Sequence, residues 1–114
     1  PQIKRVNYVG LEDNPFHELA KKQFGKTAGA MICIDLEDKE ACFSFLNHLK
    51  LIHRATNLFD NRSLAIHPAS TIFGAFSESM RKSMDVKDTT IRLSIGLEDV
   101  DDLFEDIKQA VDSL

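Results

Sequence analysis

The chain has 114 residues, 43% hydrophobic and 28% charged, with 5 glycines and 3 prolines. That length and balance predict one globular domain and exclude a disordered, collagen-like or low-complexity chain; no apolar run approaches the roughly 20 residues of a membrane-spanning helix. The 14 basic and 18 acidic residues give a net charge of −4, without the basic stripe that nucleic-acid phosphates require.

In chain order, residues 3–9 (IKRVNYV) have the β-branched and aromatic content of a strand, with Val6 and Tyr8 on one face. Asn14 and Pro15 form an N-cap and first-turn pair ahead of a helix over Phe16 to Phe24, which Gly25 ends. Lys21, Lys22 and Lys26, the densest basic cluster, read as its solvated face. Residues 29–36 (GAMICIDL) form a continuous apolar run, predicting a central strand buried on both faces. Residues 38–51 place Ala41, Cys42, Phe45, Leu46 and Leu49 at helical spacing.

A strand–turn–strand region follows: Ile52 to Asn57, a turn around Phe59, Asp60 and Asn61, then Ser63 to His67, stopped by Pro68. Residues 69–76 read as a loop, and Ser77 caps one or two helical turns reaching Met84. Residues 90–95 (TIRLSI) alternate, with Ile91, Leu93 and Ile95 on one side and Thr90, Arg92 and Ser94 on the other. After Gly96, a helical stripe takes in Val100, Leu103, Phe104, Ile107, Val111 and Leu114. The order β-α-β-α-β-β-(α)-β-α predicts an α/β two-layer sandwich, with helices on one face of a four- to five-stranded, mostly antiparallel sheet.

The acidic cluster Glu98, Asp99, Asp101, Asp102, Glu105 and Asp106 reads as charge favouring a helix N-terminus. Cys33 and Cys42 lack a CxxC partner and lie in apolar runs, predicting buried free thiols and a reducing, cytoplasmic setting. His17, His48, His53 and His67 have no metal-ligand spacing. No secretory signal opens the chain. It begins at Pro1 without an initiator methionine, so further sequence is expected upstream.

No GxSxG, P-loop or GxGxxG motif is present. Arg92 is the residue whose chemistry stands out: a guanidinium in mid-strand, opposite the apolar face, is a fork suited to a carboxylate. From the residues alone it is either a substrate-carboxylate anchor or a member of an ion pair. The polar turn Asn57 to Ser63 is either a set of backbone N–H groups for an anion or an ordinary Asp-Asn turn. His67-Pro68 reads as a strand end.

Three stretches, NPFHELAKKQFG (14–25), SLAIHPAST (63–71) and IRLSIGLEDVDDLFEDIKQA (91–110), resemble the C-terminal domain of the Cys/Met metabolism pyridoxal-phosphate enzymes. These include cystathionine synthases and lyases, methionine γ-lyase and O-acetylhomoserine sulfhydrylase. The resemblance runs in the right order over essentially the whole chain. It implies that residues 1–114 are the single small C-terminal domain of a fold-type-I enzyme whose large cofactor domain lies outside them. Pyridoxal phosphate is then the parent's cofactor, with none expected on this chain, because the family's cofactor lysine sits in a Ser-x-Thr-Lys-type segment that is not found here. By the same resemblance, this chain alone is inactive.

The resemblance also assigns residues. Arg92 matches the arginine of the family's RLSxG motif, similar to the residue that grips the substrate α-carboxylate. Asn57 aligns with a serine that also contacts that carboxylate. Asn57 with Asp60, and the run containing Ser70, are similar to the sulfhydrylase subgroup, with Asp60 and Ser70 as supporting turn residues. The implied reaction is replacement of acetate by sulfide at the γ carbon of O-acetylhomoserine, giving homocysteine for methionine biosynthesis. The implied partners are the large domain of the same chain, an amino-acid substrate and a homo-oligomer. Two departures stand out: Phe59 takes a glycine position, and Ile72-Phe73 replaces a Thr-His pair. The alternative is a freestanding amino-acid-sensing or dimerisation domain without catalysis.

Overall fold

A computed structural model describes residues 2–114. Five strands form one sheet: β1 (Arg5–Asn7), β2 (Met31–Asp35), β3 (His53–Arg54), β4 (Leu64–Ile66) and β5 (Thr90–Ser94), in the order β1-β2-β5-β4-β3. Every neighbouring pair is antiparallel except β3 with β4. The helices are α1 (His17–Phe24), α2 (Lys39–His48), α3 (Glu78–Ser83) and α4 (Val100–Asp112), with a short 3-10 turn at Pro68–Ser70. The element order and the two-layer α/β class are those expected.

One face of the sheet is covered. Ile34, Ile91, Leu93 and Ala65 pack against Cys42, Phe45 and Leu46 of α2 and Leu103 and Ala110 of α4. Phe45 is wholly buried, which contributes about 1.5–3 kcal/mol of hydrophobic stabilisation. Asp38 caps α2 by accepting the Ala41 N–H at 2.8 Å, and Asp99 caps α4 by accepting that of Asp101 at 2.9 Å. Ser77 caps α3 as expected.

Three expectations need correction. Asn14 does not cap α1; the cap position is Phe16, and the Asn14 side chain instead accepts the Phe16 N–H at 3.0 Å in a local turn. Gly25 does end α1, at φ +71, a conformation that favours glycine. Strand β2 is not buried on both faces: Met31 and Cys33, on the side opposite the core, are half-buried, as is Ile32 at the edge of the core. Strands β3 and β4 are parallel rather than a hairpin, since residues 55–63 form a long loop whose groups bond to β5 and the turn after it.

The inward stripe of α4 is also rotated from the one expected. Leu103, Asp106 and Ala110 are buried, whereas Val100 and Phe104 are 74% and 68% exposed. The cause is Asp106, whose carboxylate accepts the N–H groups of Lys50, Leu51 and Ile52 at 2.8–2.9 Å. No helix of the described residues is long and apolar enough to cross a membrane.

Candidate functional site

The sheet face opposite α2 and α4, buried along most of β4 and β5 and half-buried at Met31 and Cys33 of β2, carries the polar residues of β5. Facing residues of an antiparallel pair point to one side, so Arg92 shares this face with Cys33 of β2 and Ile66 of β4. Arg92 is half-buried. Its Nη2 donates to the carbonyl oxygens of Thr56 and Asn57, each at 3.3 Å. Its Nε is buried without a partner. Among the described residues no carboxylate forms an ion pair with Arg92. The guanidinium therefore keeps donor capacity that the chain itself does not use.

The loop before β4 is fastened to β5 and its following turn, residue by residue. Ser94 Oγ accepts the Phe59 N–H at 2.9 Å. The Leu97 N–H donates to the Asn61 carbonyl at 2.9 Å. The Ser63 hydroxyl accepts from the Gly96 N–H and donates to Glu98, both at 2.8 Å, and Glu98 also accepts the Ser63 N–H at 2.6 Å. Position 96 must be glycine, because a Cβ there would stand 2.4 Å from the Asn61 carbonyl oxygen. Glu98 does not serve the α4 N-terminus as expected. Burial works to raise its pKa, but the Ser63 N–H and hydroxyl outweigh this and hold the carboxyl below the usual range.

Asn57 and Asp60 both lie in this loop and are exposed. Asn57 Oδ1 accepts the Leu58 N–H at 2.9 Å, and Asp60 Oδ1 accepts the Arg62 N–H at 3.0 Å. The N–H groups of residues 58, 59, 62 and 63 are thus all engaged within the chain. The loop is an Asp-Asn turn, and those four groups are not available to an anion. Phe59 adopts φ +54, the left-handed region that a bulky side chain rarely enters.

Ser70 stands apart from Arg92 and Asn57 in its bonding. Its hydroxyl pairs with His67 Nδ1 at 2.7 Å, while His67 Nε2 meets the Asp88 carbonyl at 2.8 Å. A carbonyl only accepts, so Nε2 donates to Asp88. His67 is buried and ties the end of β4 to the segment before β5.

Beside Arg92 this face holds a cavity of about 480 Å³, bordered by Tyr8, Phe24, Met31, Cys33 and Phe59 among others. Burial pushes the Cys33 thiol pKa up, with the Arg92 charge acting against it. Burial likewise pushes Cys42 to about 12. Both thiols are free, though only Cys42 is fully buried. Sequence reasoning did not single out Ser94 or Glu98. Ser94 had a signal, two residues from Arg92 on one strand face; Glu98 had none, because its partner is 35 positions away.

A small α/β layer with an unpaired mid-strand arginine suits a domain that completes its site against other residues. Residues 1–112 match the Cys/Met metabolism PLP-dependent enzymes, and the chain belongs to that family. It is 42% identical to an L-methionine gamma-lyase of Fusobacterium nucleatum over 100% of this chain and 29% of the relative. It is 41% identical to O-acetyl-L-homoserine sulfhydrylase 1 of Thermus thermophilus over 97% of this chain and 27% of the relative. Among solved structures it is similar to a putative O-acetylhomoserine (thiol)-lyase from Campylobacter jejuni, solved with N'-pyridoxyl-lysine-5'-monophosphate. The TM-score is 0.95 at 43% identity, over 99% of this chain and 27% of that one. The chain thus spans less than a third of the length of these relatives.

The residues present do not fit a covalently held pyridoxal phosphate. A Schiff-base lysine is activated by desolvation or a neighbouring cation, and every lysine here is exposed. Lys4, Lys21, Lys82, Lys87 and Lys108 are paired with carboxylates. What the Arg92 face fits is an anion held by a guanidinium. Among the described residues no group of three His, Cys, Asp or Glu side chains is placed to hold a metal.

Proposed function

We propose that the chain is the C-terminal substrate-binding domain of a larger enzyme acting on sulfur-containing or γ-substituted amino acids, with a large cofactor domain supplied by the rest of the same protein. The observation that carries this reading is the half-buried Arg92, which has no carboxylate partner within the chain. Arg92 binds the substrate α-carboxylate through donors that Thr56 and Asn57 leave free. Asn57, whose Oδ1 is occupied by Leu58, offers its Nδ2 to the second carboxylate oxygen. Two such contacts fix the amino acid's orientation, so that one bond at its α carbon faces the reacting group. The family's cofactor, held by residues outside this chain, supplies the electron sink for chemistry at that carbon.

Within the family, replacement at the γ carbon of O-acetylhomoserine is the reading favoured here. The likeness to the Campylobacter jejuni and Thermus thermophilus proteins supports it, as do Asn57 and Asp60 in the loop. The test is steady-state kinetics of the full-length enzyme. Arg92→Ala should lower kcat/KM by about 100-fold or more, as expected for losing charge-assisted hydrogen bonds. Arg92→Lys should retain part of that activity, because it keeps the charge but not the fork. Unchanged KM in Arg92→Ala would overturn the assignment.

A further inference from the structure

We propose that Phe59 is a specificity-determining residue: with Tyr8, Phe24, Met31 and Cys33 it walls the pocket for the substrate's side chain and restricts it to amino acids whose γ-substituent is uncharged, such as a thioether or an acetyl ester. The proposal rests on Arg92 holding the α-carboxylate, and it names the substrate class of that same site.

Position comes first. Cys33 borders the 480 Å³ cavity and is the direct cross-strand partner of Arg92 on the same face. Phe59 is tied by its N–H to Ser94, two residues beyond Arg92 on the same strand face. An amino acid anchored at Arg92 therefore has this cavity beside it. Its volume is within the ordinary range for small-molecule sites.

The lining decides the chemistry. Three aromatic rings and two sulfur side chains line it beside Asn7, Thr27 and small residues, and none of its residues is charged; Lys26 borders only the shallower depression that adjoins it. Sulfur against aromatic edges is a favourable contact. A second carboxylate placed there would lose water and gain no counter-charge from the lining that this chain supplies.

Phe59 itself is held there against its backbone preference. A bulky residue at φ +54 is an outlier. It persists because Ser94, Gly96, Leu97 and Glu98 fix the loop from both ends. The ring is 68% exposed, so packing within the chain does not explain it. What the conformation achieves is to set an aromatic wall at the cavity.

The experiment compares kcat/KM of the full-length enzyme for O-acetyl-L-homoserine and O-succinyl-L-homoserine, in wild type, Phe59→Gly, Phe24→Ala and Arg92→Lys. Wild type should prefer the acetyl ester. Phe59→Gly should narrow that preference about tenfold or more by opening the pocket to water, and Phe24→Ala should act in the same direction. Phe59→Gly removes an unfavourable φ, so its melting temperature should not fall. Arg92→Lys should raise both KM values alike. If it raises both while neither pocket variant moves the ratio, or if wild type prefers the succinyl ester, the pocket assignment alone is overturned. If Arg92→Lys leaves both KM values unchanged, the carboxylate reading falls and the pocket assignment with it. An enzyme inert toward both esters and toward L-methionine overturns both.

Discussion

Asp106 of α4 accepts the backbone N–H of Ile52 at 2.9 Å, and the same carboxylate takes the N–H groups of Lys50 and Leu51. The chain leaving α2 turns into β3 at these residues, so one side chain satisfies three amides of the turn and docks α4 on it. Burial works to raise the Asp106 pKa, but the N–H groups of Ile52, Lys50 and Leu51 outweigh it and hold the carboxyl below the usual range. Asp106→Ala should cost about 2–4 kcal/mol, because it strands donors that a buried charge had satisfied. A carboxyl whose folded pKa is depressed contributes stability that is complete above the unfolded value, about 3.9. That stability is lost as pH falls below this value and through the folded one. Urea midpoints from pH 6 down to 3 should therefore fall more steeply in wild type than in Asp106→Asn. Parallel slopes would show that Asp106 does not carry the effect.

The two thiols should differ sharply toward alkylation. Cys42 is fully buried and its pKa lies at about 12, mainly through burial and then through the negative charges of Asp35, Asp38 and Asp88. Thiolate is the reactive form, so Cys42 should stay unmodified by iodoacetamide at neutral pH. Cys33, half-buried and also raised, should react slowly. Intact mass after timed quenching should show one adduct in the folded chain and two in urea. Modification of Cys42 ahead of Cys33 would contradict the burial described.

Incubated with pyridoxal phosphate and then borohydride, the 114-residue chain should collect only scattered, sub-stoichiometric adducts. All its lysines are exposed, and none has the desolvated setting of a Schiff-base lysine. Peptide mapping checks this; a single stoichiometric adduct at one lysine would refute it.

The order of elements was legible in the sequence because it follows from local signals. Ile91 and Leu93 alternate with Thr90, Arg92 and Ser94, and the apolar positions of 38–51 recur at helical spacing. Asp99 and Ser77 sit where caps belong. Arg92 could be singled out for the same reason: a charge on a strand of otherwise apolar and hydroxyl residues breaks a local pattern. The parallel pairing of β3 with β4 was not legible, since a short polar stretch between two strands reads equally as a hairpin turn. The rotation of α4 was not legible either. Hydropathy ranks Phe104 above Asp106, and only the three amides of residues 50–52 reverse that order.

Sequence alone determined the α/β class, the succession of strands and helices, and the residue type suited to grip a carboxylate. Periodicity, capping and turn chemistry act over a few residues, so they are written in the chain. Tertiary structure decided what those residues meet: that Arg92 bonds only backbone carbonyls of the chain, and that Ser94 and Glu98 fasten the loop carrying Asn57 and Phe59. Those outcomes depend on contacts 33 to 36 positions apart. Such contacts form only when the fold has brought β4 against β5, so no local pattern of apolar and polar residues encodes them.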